Sequence, residues 1–480
     1  MQNRMAQFPF QLLVKRSGSE NQPESLLCTA LLRAVPGRRA VYDATLNGKN
    51  IIVKVFSHKI RAKHHLKKEW CGLNLLDSKG LNVPKTLFYG QTQDGQQVIA
   101  MEKITESATI LDVLGKTTNE SEKLDLLILV CKELARQHDK GVFQKDLHLG
   151  NFLLSPVRNS TGRIPEAAAE KENTSNGVRG DKVFMLDPSQ IRFSHRELNK
   201  RKSISQLARL IGYLPTNDTV SVARLCEEYF KVRGWRFGKP DELLLQKQFI
   251  THKEKTVGRA LKKCLRTSKR YLRVKSGKYL AVFDRSFYKE AELLDFIEQI
   301  DVLMSKGQIL KDGHTCFVSR VKWDDKDIVI KRYNHKGFIH SLRHTIKGSR
   351  AKRGWLYGHR LRMLDIATPK PLVYIEQYSG PLVWKSYLVT EYVRGQKLYD
   401  FLRDTNVAEE DRSAAAQKIA ELLDKLSKHR ITHGDLKHSN ILIKNNGPVL
   451  TDLDGMKMHK WNWTCNLRLA KDVNRFTKRD

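Results

Sequence analysis

The pattern Asp-Leu-x-x-x-Asn occurs twice along this chain, 289 residues apart, and each time an apolar run follows it. The first copy is Lys145-Asp146-Leu147-His148-Leu149-Gly150-Asn151 before Phe152-Leu153-Leu154. The second is Gly434-Asp435-Leu436-Lys437-His438-Ser439-Asn440 before Ile441-Leu442-Ile443. Met101-Glu102-Lys103-Ile104 and Thr390-Glu391-Tyr392-Val393 share that offset, and Trp70 and Pro84 recur as Trp355 and Pro369 at 285. Further upstream, two strand-like runs each hold a lysine, Ile51-Ile52-Val53-Lys54-Val55-Phe56 and Ile328-Val329-Ile330-Lys331-Arg332-Tyr333. Five landmarks in one order at a nearly constant offset read as an internal duplication. A chain of 480 residues is long enough for two such units, each with its own core.

Each copy has the same coarse layout. Short β-type runs separated by turn residues come first (Pro36-Gly37, Asn47-Gly48; Lys311-Asp312-Gly313, Trp323-Asp324-Asp325). A helix-period segment and two further strands follow. A second helical segment, Leu124 to His138 or Ala414 to His429, ends just before the acidic loop, and a short strand then brings in Asp187 or Asp452. Strands first and helices second predict an α+β protein of two tandem bilobal domains, each with an antiparallel N-lobe sheet and a helical C-lobe. The expected limits are an N-terminal extension over 1–25 and domains over 26–255 and 256–480. The segment of about 156–181, rich in Asn, Ser, Thr, Gly, Ala and Glu, reads as a flexible insertion in the first domain. Only 28 residues follow Asp452, so the second C-lobe is expected to be short.

These residue types suit phosphoryl transfer, which asks for charge placement more than covalent chemistry. Lys54 and Lys331, mid-strand among apolar neighbours, present an ammonium on one face of a sheet. In each loop the Asp can face an incoming hydroxyl and the Asn, five residues on, can face a metal ion. Asp187 and Asp452 can supply the harder ligand. Taken singly, such residues have plainer readings: a surface lysine, an N-cap and an Asx-turn. Asp454 reads as a turn residue beside Asp452. Glu102 and Glu391 read as hinge positions whose backbone would meet adenine, and Trp70 and Trp355 as core aromatics.

The strand lysine, helix glutamate, D-L-x-x-x-N loop and strand-end aspartate resemble the protein-kinase-like superfold. In detail the chain resembles the bacterial lipopolysaccharide kinase family, which phosphorylates heptose or Kdo of the inner core. The resemblance is carried by Arg350-Ala351-Lys352-Arg353-Gly354-Trp355, by Ile366-Ala367-Thr368-Pro369-Lys370-Pro371-Leu372 and by His433 to Leu442. It implies ATP and Mg²⁺ as cofactors, an anionic glycolipid as acceptor, and Lys54 and Lys331 as the nucleotide-phosphate lysines. Glu69 would be the helix partner of Lys54, Asp146 and Asp435 the catalytic bases, and Lys437 the loop lysine that meets the transferred phosphate. Asn151 with Asp187, and Asn440 with Asp452, would hold Mg²⁺. The sequence departs from the family in four ways: neither unit has G-x-G-x-x-G, Gly354 stands where Glu69 has its counterpart, His148 replaces Lys437, and Gln144 replaces His433.

A formal charge of +34 bears on the partner. Eleven Lys/Arg against one Glu lie between Lys253 and Lys278, and eight against none between Lys331 and Arg353. Such a field attracts polyanions, whether nucleic acid, anionic lipid or phosphorylated glycolipid, and charge alone does not choose among them; the resemblance implies an anionic membrane surface, the inner face of the inner membrane. Seven scattered cysteines without C-x-x-C spacing suit a reducing cytoplasm, and no apolar stretch is long enough to span a bilayer. Two other classes stay open: a tandem pseudokinase that binds nucleotide or partners, and a basic nucleic-acid-binding protein, although no RNA- or DNA-binding signature appears.

Overall fold

A computed structural model describes residues 7–477 except 19–21, 59, 156–181, 214–218, 288–291, 335–336, 338–341, 343–344 and 347. The expected insertion at 156–181 therefore lies outside the described residues. The chain is a mixed α+β protein that divides into two compact units, Met1–Phe249 and Ile250–Asp480.

In the first unit, β1 (Phe10–Arg16), β2 (Glu24–Val35), β3 (Arg39–Leu46), β4 (Lys49–Phe56), β5 (Thr86–Thr92) and β6 (Gln97–Glu102) close an antiparallel barrel. Its order is β1-β2-β3-β4-β6-β5, with α1 (Ala62–Ser78) between β4 and β5. Val14, Leu26, Ala44, Val53, Val55 and Val98 fill the barrel, and α1 covers the opposite face of β4 with Leu66, Leu73 and Leu76. The 1–25 extension is corrected here: β1 pairs with both β2 and β5 (Leu12 with Leu26, Val14 with Thr92). Phe10, Leu12 and Val14 alternate with more exposed neighbours, which is the period of a strand with one face buried.

The chain continues through β7 (Ala108–Thr109), α2 (Ile110–Lys116), α3 (Glu120–Asp139), β8 (Val142–Gln144), β9 (Phe152–Ser155), β10 (Lys182–Met185) and β11 (Ile191–Phe193). Helices α4 (Lys200–Ile211), α5 (Thr219–Val232) and α6 (Lys239–Lys263) follow. Leu134 of α3, Leu207 of α4 and Phe230 of α5 share one core with Phe152. The division between units falls within α6, at 249/250 rather than the expected 255/256. A continuous helix has no turn residues, so composition carried no boundary signal there.

The second unit opens with β12 (Tyr271–Ser276), β13 (Tyr279–Asp284), α7 (Leu293–Glu298), α8 (Ile300–Lys306), β14 (Gln308–Gly313), β15 (Cys316–Trp323) and β16 (Lys326–Tyr333). Then come α9 (Arg350–Met363), β17 (Pro371–Ser379) and β18 (Leu382–Glu391). These strands form one seven-stranded sheet, β12-β13-β17-β18-β16-β15-β14. Strands β14 to β18 run three antiparallel strands, helix, hairpin, in the order β14-β15-β16-β18-β17, as β2 to β6 do in the first unit. The remainder is β19 (Gln396–Lys397), α10 (Leu398–Arg403), α11 (Glu409–Lys428), β20 (Ile431–Thr432), β21 (Ile441–Lys444), β22 (Gly447–Leu450), β23 (Lys457–Met458) and α12 (Asn462–Thr477). All seven cysteines are free thiols, and only Cys71 is exposed. No helix among the described residues is long and apolar enough to cross a membrane.

Candidate functional site

Strand alternation sets the two lysines. In β4, Ile51, Val53 and Val55 point into the barrel, so Lys54 emerges on the face covered by α1. There it forms an ion pair with Glu69, a fully buried residue of α1. In β16, Ile328 and Ile330 are buried on one face and Lys331 leaves by the other. Lys54 sits opposite Val41 and Ile99, and Lys331 opposite Val318 and Leu388.

Lys331 finds other partners, Asp452 and Asp454, the second at 3.0 Å. Asp454 also receives the Arg350 Nε at 2.8 Å. Asp454 lies in a single 3₁₀ turn, Leu453–Gly455, as its turn reading expects; it is also buried and gives Lys331 the counter-charge that Glu69 gives Lys54. Gly354 stands at the position of Glu69, and a Cβ there would stand 2.7 Å from Leu388 Cδ2, so a side chain at that position would have to displace the leucine. Burial raises the Asp454 carboxyl, but the hydrogen bond shared with Asp452 and the Lys331 and Arg350 charges outweigh it and hold the group well below the usual range. Asp452 is shifted upward by burial and by its acidic neighbour. Burial also works against the Lys331 ammonium, and the two carboxylates reverse that and raise it.

The acidic loops have the same local geometry in both units. Asn151 donates from Nδ2 to the Asp146 carbonyl at 3.0 Å, and Asn440 to the Asp435 carbonyl at 2.8 Å. The residue before Asp187 donates its N–H to the Asn151 carbonyl (2.7 Å), and the residue before Asp452 does the same to Asn440 (2.9 Å). Asp187 and Asp452 then both adopt left-handed backbone, with φ of 52° and 57°. That conformation costs a non-glycine residue about 1–3 kcal/mol and concentrates at functional sites. In the first unit Arg39, just past the β2–β3 turn, reaches Asp187 Oδ2 at 3.2 Å.

Sequence reasoning missed the clamp behind each loop. In the second unit Asp472 of α12 accepts the N–H groups of His433 (2.8 Å) and Gly434 (3.0 Å), and Arg475 donates to the Gly434 carbonyl. In the first, Gln206 of α4 accepts the Gln144 N–H at 3.1 Å, and Arg209 donates to the Lys145 carbonyl at 2.7 Å. The spacing of the helix pair, three residues, is equal in both. The short segment after Asp452 thus carries, in α12, the helix that fixes the loop.

In the second unit these groups line one cleft of about 520 Å³. Asp435, Lys437, Ser439, Asn440 and Asp452 line it together with Lys331. Val318, Val329, Leu388 and Leu442 give an apolar section bordered by Glu391, Tyr392 and Val393. Lys437 Nζ lies 3.5 Å from Asp435 Oδ2. Where a Gly-rich loop was sought, β14 places Leu310 and Lys311 on the cleft. The donor set fits Mg²⁺. Asn440 commits its amide N–H to the loop, which leaves Oδ1 as an acceptor, and it lines the same cleft as the Asp452 carboxylate. Mg²⁺ characteristically takes one or two protein oxygens and fills its octahedron with phosphates and water.

Residues 306–463 match the lipopolysaccharide kinase (Kdo/WaaP) family. The match covers about a third of the chain, all within the second unit, and includes every wall residue of the cleft. The chain is also similar to the serine/threonine-protein kinase greatwall of Danio rerio, 38% identical over 92 residues, which is 19% of this chain and 11% of that protein. To serine/threonine-protein kinase 1 of Heliothis zea nuclear polyhedrosis virus it is 30% identical over 104 residues, 22% of this chain and 34% of the relative. The chain thus spans about a tenth and a third of the length of these two curated relatives.

Proposed function

We propose that the chain is an ATP-dependent phosphotransferase of two kinase-like units, that the second unit carries the turnover, and that the acceptor is a heptose or Kdo hydroxyl of the lipopolysaccharide inner core. The observation that carries this reading is the convergence of Lys331, Asp435, Lys437, Asn440 and Asp452 on one cleft with an apolar section beside it. Adenine fits that apolar section against the backbone of 391–393. Lys331 neutralises the nucleotide phosphates, and Asn440 and Asp452 hold Mg²⁺, which when bound screens charge on the β- and γ-phosphate oxygens. Asp435 orients the acceptor hydroxyl and takes its proton as the oxygen attacks the γ-phosphorus. The bond to the bridging oxygen breaks, ADP leaves, and Lys437 offsets charge on the phosphoryl group in transit. The family match over this cleft supports a sugar acceptor. The net charge of +34 supports an anionic one held at a membrane of the same sign as the acceptor.

The first unit differs in its acidic loop. His148 stands where the second unit has Lys437, so the loop cation that would meet the phosphoryl group is missing, which favours a nucleotide-binding or supporting role for that unit rather than turnover. The test is ADP release by the full chain with and without deacylated lipopolysaccharide core. Acceptor-dependent turnover is expected. Turnover indifferent to the core, with RNA or protein labelled instead, would remove the sugar acceptor.

A further inference from the structure

Beyond the cleft, the second unit exposes an apolar cluster that nothing in the proposed chemistry uses. Met458 is 50% exposed, Trp461 56%, Trp463 65% and Leu467 61%, all within ten residues of chain. Lys457, Lys460, Arg468 and Lys471 are exposed among them, and residues 455–471 contain no acid at all. The Lys460 ammonium rests over the Trp461 ring at 4.9 Å.

This segment is held firmly. Met458 pairs with Ile431 and Lys457 with Thr432, so β23 runs beside the strand that leads into the catalytic loop. Trp463 and Leu467, one helical turn apart, stand on the same helix as Asp472 and Arg475, which fix that loop. A rigid element therefore joins the exposed cluster to the Asp435 loop.

We propose that this cluster is a membrane-interface contact, in which Trp461, Trp463, Leu467 and Met458 enter the headgroup boundary of an anionic bilayer while the four cations meet lipid phosphates. Tryptophan beside lysine and arginine is the composition that favours the interface over either water or hydrocarbon. A second copy of the chain is a poor occupant, since it would bring a basic patch against a molecule that itself carries +34. The inference rests in part on the proposed acceptor: a glycolipid hydroxyl lies at a bilayer surface, and this contact would turn the Asp435 loop toward it.

The experiment uses the full chain with vesicles of phosphatidylcholine alone or mixed with phosphatidylglycerol, some carrying brominated acyl chains. Wild type should sediment with the mixed vesicles, less so as salt rises, and show tryptophan quenching by brominated lipid. Trp461→Ser, Trp463→Gln and Leu467→Gln combined should lower partition at least about tenfold, with an unchanged melting profile and unchanged turnover on a soluble acceptor. Absence of quenching in wild type overturns the proposal, whatever the variant does. So does a folded triple variant that binds vesicles as wild type does, or one that abolishes a concentration-dependent dimer and leaves vesicle binding intact. Vesicle binding through the patch by a chain with no turnover would keep this surface and reject the kinase reading, so the two failures are separable.

Discussion

Asp454 and Glu69 solve one problem with different residues: each gives a half-buried strand lysine its counter-charge. In the second unit the arrangement is a triad, Lys331, Asp454 and Arg350, with the carboxylate almost fully buried. Asp454→Ala would leave Arg350 without its carboxylate and Lys331 with Asp452 alone. We expect it to destabilise the second unit by about 3 kcal/mol, the low end for a broken buried pair because Arg350 keeps part of its hydration. Urea unfolding followed in the second unit measures this, and a loss below about 1 kcal/mol would mean that water replaces the carboxylate. At this scale the sequence was legible wherever spacing carried the information. Lys54, Lys331, Asn151 and Asn440 stand where strand period and loop spacing placed them. Asp454 and Arg39 were not legible, because their roles depend on how closely a helix or a turn approaches from elsewhere in the chain. Gly354 was visible only as a missing glutamate.

At the scale of elements, the helix behind each acidic loop decides how firmly the loop is held. Asp472→Ala would release two backbone N–H groups in a buried setting. Turnover should fall about 100-fold through misplacement of Asp435, with the KM for ATP little changed; steady-state kinetics separates the two. These helices were the least legible elements. Asp472 and Arg475 carry no motif, and a three-residue spacing of polar groups on an amphipathic helix reads as an ordinary solvated face. The buried histidines add a pH dependence. His138, at the end of α3, touches Tyr229 and Gln206, and burial lowers its pKa to about 3. His359 of α9 is lowered by burial to about 3 as well. Both folded values lie below the ordinary value near 6.5, so the unfolded chain binds more protons at mildly acid pH. Stability is therefore full above about pH 6.5 and is lost as pH falls below it, by up to about 1.4 kcal/mol per pH unit for each histidine. Urea midpoints between pH 7 and 5 should show this slope, and His138→Gln or His359→Gln should flatten it in its own unit.

For the whole molecule, the repeated landmarks predicted two units of like strand and helix order. The chain divides into two compact units whose acidic loops share their hydrogen bonds, but one has a closed six-stranded barrel and the other a seven-stranded sheet. Three features escaped the sequence. β1 was set aside because an N-terminal run looked detachable. The division fell inside a continuous helix. The charge clusters gave a sign without a surface. The central claim is that the second unit carries the turnover. Phosphate transfer from labelled ATP to lipopolysaccharide core by the full chain tests it, comparing Asp435→Asn with Asp146→Asn. Loss of the base should lower the rate at least about 100-fold in Asp435→Asn, while Asp146→Asn keeps most of it. Full transfer by Asp435→Asn, with the loss falling on Asp146→Asn instead, would contradict the account.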